Sequence, residues 1–373
     1  MKRLLFVVSE DWYFVSHRLH LAKNAIKYGY SVALLSHFTG YQELIESSGI
    51  ELIEWSLHRK SYNLLLEAKA ILGVFRAIRH FKPDIVHSVA IKPVLYTALA
   101  CRMVGVDSRV FALGGLGYIY SSDKIVVRFF RPFFVLAFKM ALAGKRSRLI
   151  LQNKDDETAL LSSGVIDLDR IRLVRGAGVD TALFAYSSIP SGEPLIVLPA
   201  RLLWSKGVGV FVDCARKLIN QGRNVRFALV GEPDQHNPES VPVNQIEEWA
   251  KEGVIEWWGR QNDMPKVYQQ SSIVCLPTTY GEGLPKSLLE AASCGRPIVT
   301  YDVPGCREIV TDGVNGYLVG SNDADELLVA INKLLNDAAL SERLGKTGRE
   351  IVLKEFSQQK VAQETLAVWE EVL

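Results

Sequence analysis

A short apolar run followed by an amphipathic segment, repeated along the chain and then restarted after a break, constrains this sequence more than any other feature. LLFVV (4–8), SVALLS (31–36), ELIEW (51–55), DIVHSV (84–89), RVFAL (109–113) and RLILQ (148–152) read as buried strands. Between them HRLHLAKNAIKYG, NLLLEAKAILGVFRAIRHF, PVLYTALACRMVG and a Phe-rich stretch carry apolar residues at helical spacing. Strand and helix in alternation build a parallel, doubly wound sheet. The Ser/Pro/Gly-rich SSIPSGEP (187–194) interrupts the pattern, which resumes with LIVLPA, VRFALVG, VIEWWG, SIVCLP and PIVTYD. Two doubly wound α/β domains are therefore expected, residues 1–186 and 187–357, with a terminal helix over about 358–373.

At 373 residues and 48% hydrophobic, the chain can bury two such cores. MKRLLFVVSED has only five apolar residues before Ser9, Glu10 and Asp11, too few for a signal-peptide core, so it reads as a first strand of a mature chain. Five cysteines without a C-x-x-C pair or a nearby His cluster suggest neither zinc nor disulfides, and fit a reducing cytoplasm.

The net charge of +2 hides a division. Residues 1–180 carry 25 Lys and Arg against 16 Asp and Glu, while residues 181–373 carry 18 against 25. A basic half suits an anionic substrate or an anionic membrane face; without an RNA-binding or helix-turn-helix signature, nucleic acid ranks last. KIVVRFFRPFFVLAFKMALAGKRSR (124–148) mixes Phe with Arg128, Arg131, Lys139, Lys145, Arg146 and Arg148. Its apolar runs fall far short of the roughly 20 residues a span needs, leaving a surface-seated segment or a buried helix with a basic end.

The chemistry concentrates in CLPTTYGEGLPKSLLEAASCGRPIVTYDVPGCR (275–307). Glu282 and Glu290 are eight positions apart, which would place them on different helix faces, so Glu282 is expected in the loop marked by Gly281 and Gly283. Pro285 suits a first helical position, and SLLEAASC follows at helical spacing. The free backbone N–H groups near Leu284 to Ser287, those of Leu284, Lys286 and Ser287 flanking Pro285, would then hold a phosphate, Glu282 would accept hydroxyl hydrogen bonds, and Glu290 a second diol. In LIVLPARLLWSKGV, Arg201 falls at a strand end and Lys206 at a helix start, where open α/β sheets bind ligands. Two cations there would neutralise charge on a departing diphosphate. The first half is expected to supply the acceptor side: SEDWYFVSHRLHLA places Asp11, His17 and Arg18 just past the first strand, near the mouth between domains, with bulky Trp12, Tyr13 and Phe14 available to touch a lipid or sugar acceptor. FALGGLGYIY supplies Gly114, Gly115 and Gly117 for close backbone approach to a diphosphate, or for a plain tight turn.

The 275–307 segment resembles the donor site of family 4 retaining glycosyltransferases of the GT-B fold, and the resemblance extends through most of the chain. The resemblance implies two Rossmann-like domains facing a cleft, with a C-terminal helix crossing back to the first. It is strongest to bacterial enzymes that extend polyprenyl diphosphate-linked sugars. R-L-L-x-x-K-G-V matches the donor-diphosphate segment, which assigns Arg201 and Lys206, and ALVGEPDQHNPESV and WWGRQNDMPKVY resemble base-walling segments, with Gly231 and Arg260 the nearest candidates. DIVHSVAIKPVLYTALA resembles an acceptor segment, with His87, Lys92 and Pro93 matching and Lys92 placed to bind an acceptor phosphate. The chain departs from the family at three places: Gly281 stands where many relatives have Arg, Val89 where many have a second His, and no glycine pair follows the first strand. His87 on an apolar strand also reads as a satisfied core histidine.

Asp167 and Asp169 form a D-x-D of the kind that holds metal in GT-A transferases, but SSGVIDLDRIRLV reads as a turn before a short strand. The resemblance implies metal-free chemistry, with a UDP-sugar as donor, a lipid-linked sugar as acceptor, and a cytoplasmic, peripheral place on the inner membrane face. Paired carboxylates also invite a glycosidase reading, but loop and helix contacts to a nucleotide explain the pair better. A sugar-nucleotide epimerase or hydrolase of the same fold and a non-catalytic nucleotide-sugar binding subunit remain as alternatives.

Overall fold

The computed structural model describes residues 1–57, 63–115, 135–234, 236–279, 281, 283–320 and 323–373. The chain divides into two compact units, Met1–Ala177 with Gln358–Leu373, and Gly178–Ser357. Residues 178–186 thus lie in the second unit rather than the first.

In the first unit the elements run β1 (Arg3–Glu10), α1 (Asp11–His17), α2 (Leu19–Lys27), β2 (Ser31–His37), α3 (Gln42–Glu46), β3 (Glu51–Glu54), α4 (Leu64–Phe81), β4 (Ile85–Val89), α5 (Ile91–Val104), β5 (Arg109–Ala112), β6 (Ser147–Leu151), α6 (Lys154–Ser162) and β7 (Ile171–Leu173). The strands form one parallel sheet in the order β3-β2-β1-β4-β5-β6-β7, so the winding reverses between β1 and β4. Leu4, Phe6 and Val8 point to one face and Leu5 and Val7 to the other, and all five are buried between helix layers. Local chemistry sets the helix ends. Asn63 caps α4 through a 2.9 Å bond from the Leu65 amide, and Lys82 at φ 48 stops it before Pro83. Gly105 at φ 86 ends α5.

The second unit runs β8 (Leu195–Pro199), α7 (Val208–Asn220), β9 (Arg226–Val230), α8 (Val243–Lys251), β10 (Glu256–Gly259), α9 (Met264–Gln270), β11 (Ile273–Leu276), α10 (Lys286–Ser293), β12 (Ile298–Tyr301), α11 (Cys306–Ile309), β13 (Gly316–Val319), α12 (Ala324–Asn336) and α13 (Ala338–Ile351). Its sheet is also parallel, ordered β10-β9-β8-β11-β12-β13, and reverses between β8 and β11. The short β13, GYLV, was not expected from the sequence. Four residues beside Gly316 give too little pattern, and the strand is fixed by pairing with Ile298–Tyr301.

The last helix, α14 (Gln358–Val372), packs into the first unit, as the resemblance implied. Trp369, Val368 and Val372 join the core around Phe6, Ser108 Oγ donates to the Val372 carbonyl at 2.5 Å, and Glu371 pairs with Arg148 at 3.0 Å and Arg172 at 2.6 Å. Asp167 and Asp169 fall at a 3-10 turn, Leu168–Arg170, as read from the sequence. All five cysteines are buried and unbridged. No helix among the described residues is long and apolar enough to cross a membrane.

Candidate active site

In the second unit the candidates gather where β8 and β11 part. Beyond β8 the chain makes a short 3-10 turn, Trp204–Lys206, and turns at Gly207, φ 76, into α7. A side chain on Gly207 would strike the carbonyl of Pro277, at the end of β11, so the two strand ends lie in backbone contact. Thr279 N and Thr278 Oγ1 both bond the Ser205 carbonyl, at 2.9 and 3.1 Å. These contacts place Lys206 and the chain leading into α10 beside the same reversal point, where a doubly wound sheet opens for a ligand.

Lys206 is half-buried there. Burial, with Arg201 repelling it, lowers its ammonium to about 8. Arg201 is largely exposed and pairs with Asp234 at 2.9 Å, a partner the sequence reading missed. Gly231, φ 149, lets β9 end against the Ala200 carbonyl, where a Cβ would collide. Arg260 lies exposed just past β10. Trp257 and Trp258 pack against the core, and their indoles bond the Gly231 carbonyl at 2.9 Å and Glu256 at 2.8 Å.

Pro285 is not the first helical residue but the N-cap, at ψ 109, with α10 beginning at Lys286. A proline whose ψ is extended closes a loop; it cannot also lie in the helix. Gly283 is buried and Leu284 packs on the core, so residues 283–285 anchor the start of α10, whose first-turn amides have no partner within the helix. Glu282 lies outside the described residues.

Glu290 is 8% exposed. Its Oε2 accepts from the hydroxyl of fully buried Tyr268 at 3.0 Å, and its Oε1 lies 3.5 Å from the Lys286 ammonium one turn back. Burial holds its carboxyl above the usual range, against the opposing pull of Lys286 and Tyr268. Tyr268 was not singled out from the sequence, because a tyrosine in MPKVYQQ carries no chemical signature.

In the first unit a pocket of about 250 Å³ opens at the ends of β1, β4 and β5, at that sheet's own reversal. Ser9, Glu10, Tyr13, Ala90 and Gly115 line it. Ala90 is held at φ 80, a conformation costly for a residue with a Cβ. Tyr13 stacks on His17, 4.2 Å between ring centres and 6° from parallel. Gly117 lies outside the described residues.

Several first-unit candidates are engaged by other groups of that unit. Asp11 is fully buried; its carboxylate accepts from Thr39 N at 2.7 Å, Thr39 Oγ1 at 2.6 Å, Tyr41 N at 3.1 Å and Trp12 N at 2.8 Å. Burial pushes the carboxyl up, but these four donors together hold it below its usual range. Asp11 ties the β1 exit to the loop after β2 and does not present itself to an acceptor. Phe14 is likewise buried. His87 is a core histidine. It is 1% exposed, its Nδ1 accepts from Trp369 at 2.9 Å, and burial, aided by Arg18, keeps it neutral. Arg18 is 3% exposed and donates to the His17 carbonyl at 3.1 Å. Lys92, at the start of α5, pairs with Glu67 at 2.8 Å.

Of the 124–148 stretch, residues 124–134, with Arg128 and Arg131, lie outside the described residues. Residues 135–142 are helical, with Phe138 buried and Leu136 and Met140 exposed, and Arg148 belongs to β6.

Two doubly wound parallel sheets, a basic strand end beside a helix start, and a terminal helix returned to the first unit define the GT-B class of glycosyltransferase. Residues 180–351 match the family of group 1 glycosyl transferases, and residues 3–153 match the glycosyl transferase 4-like family. The chain belongs to this glycosyltransferase family and is an enzyme of it. It is 26% identical over 344 residues, 89% of each chain, to the N,N'-diacetylbacillosaminyl-diphospho-undecaprenol alpha-1,3-N-acetylgalactosaminyltransferase of Campylobacter jejuni. It is 23% identical to an Escherichia coli UDP-Gal:alpha-D-GlcNAc-diphosphoundecaprenol alpha-1,3-galactosyltransferase, over 76% of this chain and 74% of that one. Its fold matches a glycosyltransferase from Rickettsia africae with a TM-score of 0.80 at 18% identity, covering 100% and 98% of the two chains. It also matches the Anabaena protein HepE in complex with UDP, with a TM-score of 0.79 at 19% identity, covering 99% and 100%.

Proposed function

We propose that this enzyme moves a sugar, an N-acetylhexosamine or a hexose, from a UDP-sugar to a polyprenyl diphosphate-linked acceptor, with retention at the anomeric carbon, in the synthesis of a surface polysaccharide or glycan precursor. The observation that carries the reading is the meeting of Lys206 and the α10 approach at the β8/β11 reversal. A depressed ammonium and first-turn amides together suit a diphosphate. The acceptor class is supported by the two relatives whose names specify diphospho-undecaprenol substrates.

In this mechanism the diphosphate rests on Lys206 and the start of α10, and Arg201 exchanges Asp234 for it. The bond from the anomeric carbon to the diphosphate oxygen breaks, and the acceptor oxygen forms its bond on the same face. Its proton passes to the leaving diphosphate. Glu282 holds donor-sugar hydroxyls and Glu290 the ribose diol, while Gly231 and Arg260 border the base. No divalent ion is required. In the first unit, the pocket beside Tyr13 and Gly115 takes the acceptor, and Lys92 exchanges Glu67 for an acceptor phosphate. The first unit rests on an anionic membrane surface at the cytoplasmic face.

Radiolabelled UDP-sugars supplied with extracted lipid-linked acceptors test the reading: one donor should give acceptor-dependent labelling of lipid, and that labelling should survive EDTA. Lys206→Ala should lower kcat by about 10² or more. Because Lys206 loses its proton as pH rises through about 8, native kcat/KM should fall above that pH. Label transfer to water alone, or activity abolished by EDTA and restored by Mg²⁺, would contradict the mechanism.

A further inference from the structure

We propose that Tyr268 is a positioning residue for nucleotide recognition, its buried hydroxyl holding the Glu290 carboxylate in the orientation that receives the ribose diol of a uridine nucleotide. The proposal rests on the reading of Glu290 as a ribose ligand and deepens it by adding the group that aims that ligand.

Tyr268 is fixed at every joint. Its ring lies edge-on to Phe184 at 6.1 Å, and its carbonyl accepts from both the amide and the hydroxyl of Ser271, at 3.1 and 2.9 Å. Asp263 caps the start of α9 through a 3.2 Å bond from the Lys266 amide, so the element carrying Tyr268 is itself pinned. The phenol is 0% exposed and reaches Glu290 Oε2 at 3.0 Å. A phenylalanine would fill the same volume without carrying a hydroxyl out of water, so packing alone does not account for the oxygen. On the other carboxylate oxygen, Lys286 is a half-exposed ammonium on a flexible stem, 3.5 Å away, and orients weakly. An ionised carboxylate has about four lone-pair directions. The phenol takes one direction on Oε2 and the ammonium lies near Oε1, which leaves acceptor capacity on both oxygens for the two hydroxyls of a cis diol. Tyr268 touches neither the nucleotide nor the reacting atoms.

Calorimetric titration with UDP and with 2′,3′-dideoxy-UDP tests this. The native chain should prefer UDP by about tenfold or more, as for hydrogen bonds to a charged group. In Tyr268→Phe the preference should fall to about threefold or less, while dideoxy-UDP binds nearly as before. A merely structural residue would weaken both nucleotides alike. A native chain that binds both equally overturns the reading of Glu290, and this inference with it. A Tyr268→Phe chain that keeps the native preference overturns the inference alone. If circular dichroism shows that Tyr268→Phe does not fold, 3-fluorotyrosine placed at position 268 decides the matter. It donates more strongly from the same ring, so the preference must hold or rise, and a fall overturns the proposal.

Discussion

At the scale of single residues, Asp11 separates a carboxylate that organises backbone from one that meets substrate. Its position after β1 is the same in either case; only the partners differ, and four donors within 3.1 Å occupy it. Replacing it with Asn puts an amide donor against Thr39, so Asp11→Asn should lose about 1–3 kcal/mol of stability at pH 7. The Asp11 carboxyl is depressed in the folded chain, so its contribution is present above the unfolded value near 4 and disappears as pH falls through the lower folded value. Urea unfolding of the native chain and the variant should therefore differ at pH 7 and converge in acid. Equal stability at pH 7 would remove the latch from the account. His87 teaches the same lesson: its strand position was legible, but Trp369, its indole partner, arrives from the far end of the sequence.

At the scale of elements, the second unit depends on two strand ends being held together. Gly207 is required both by its φ of 76 and by the Pro277 carbonyl that occupies the space a Cβ would take. The backbone conformation alone costs an alanine about 1–3 kcal/mol, and the collision adds to it. Gly207→Ala should therefore lower the thermal midpoint and, by pushing the Lys206 turn off β11, reduce kcat more than the loss of folded protein explains. Activity normalised to the folded fraction separates the two; an unchanged value would show that the turn tolerates displacement. The helix start at α10 was legible from Gly, Pro and the apolar spacing after them, while its first residue was not. Proline satisfies both the cap and the first helical position, and only the ψ of 109 decides between them.

At the scale of the whole molecule, the surplus of base in residues 1–180 meets an amphipathic segment at 135–142, where Leu136 and Met140 are exposed and Phe138 is buried. Anionic lipid should attract this region at about 1 kcal/mol per basic residue near the surface. Lys139, Lys145 and Arg146 are exposed, whereas Arg148 is engaged by Glu371. Flotation with anionic and neutral vesicles should favour the anionic ones, weaken with salt, and drop when Lys139, Lys145 and Arg146 are changed to Gln. A variant that floats as well as the native chain would reduce the segment to a packing helix.

What the sequence determined by itself was the class of architecture. Apolar strand runs and helical spacing are local properties, and a chain that repeats them and restarts after SSIPSGEP has few ways to bury them. It also located Arg201 past a strand end, Lys206 before a helix and Glu290 one turn into another, because the pattern itself places those elements. Only the tertiary structure decided which polar groups were already committed. Asp11 to Thr39, Lys92 to Glu67, Arg201 to Asp234 and Glu290 to Tyr268 are partnerships across 22 to 33 positions, and no local pattern encodes them. They arise because a parallel sheet and the helices packed on it bring distant segments side by side, and hydrogen bonding is decided by what lies within about 3 Å in space.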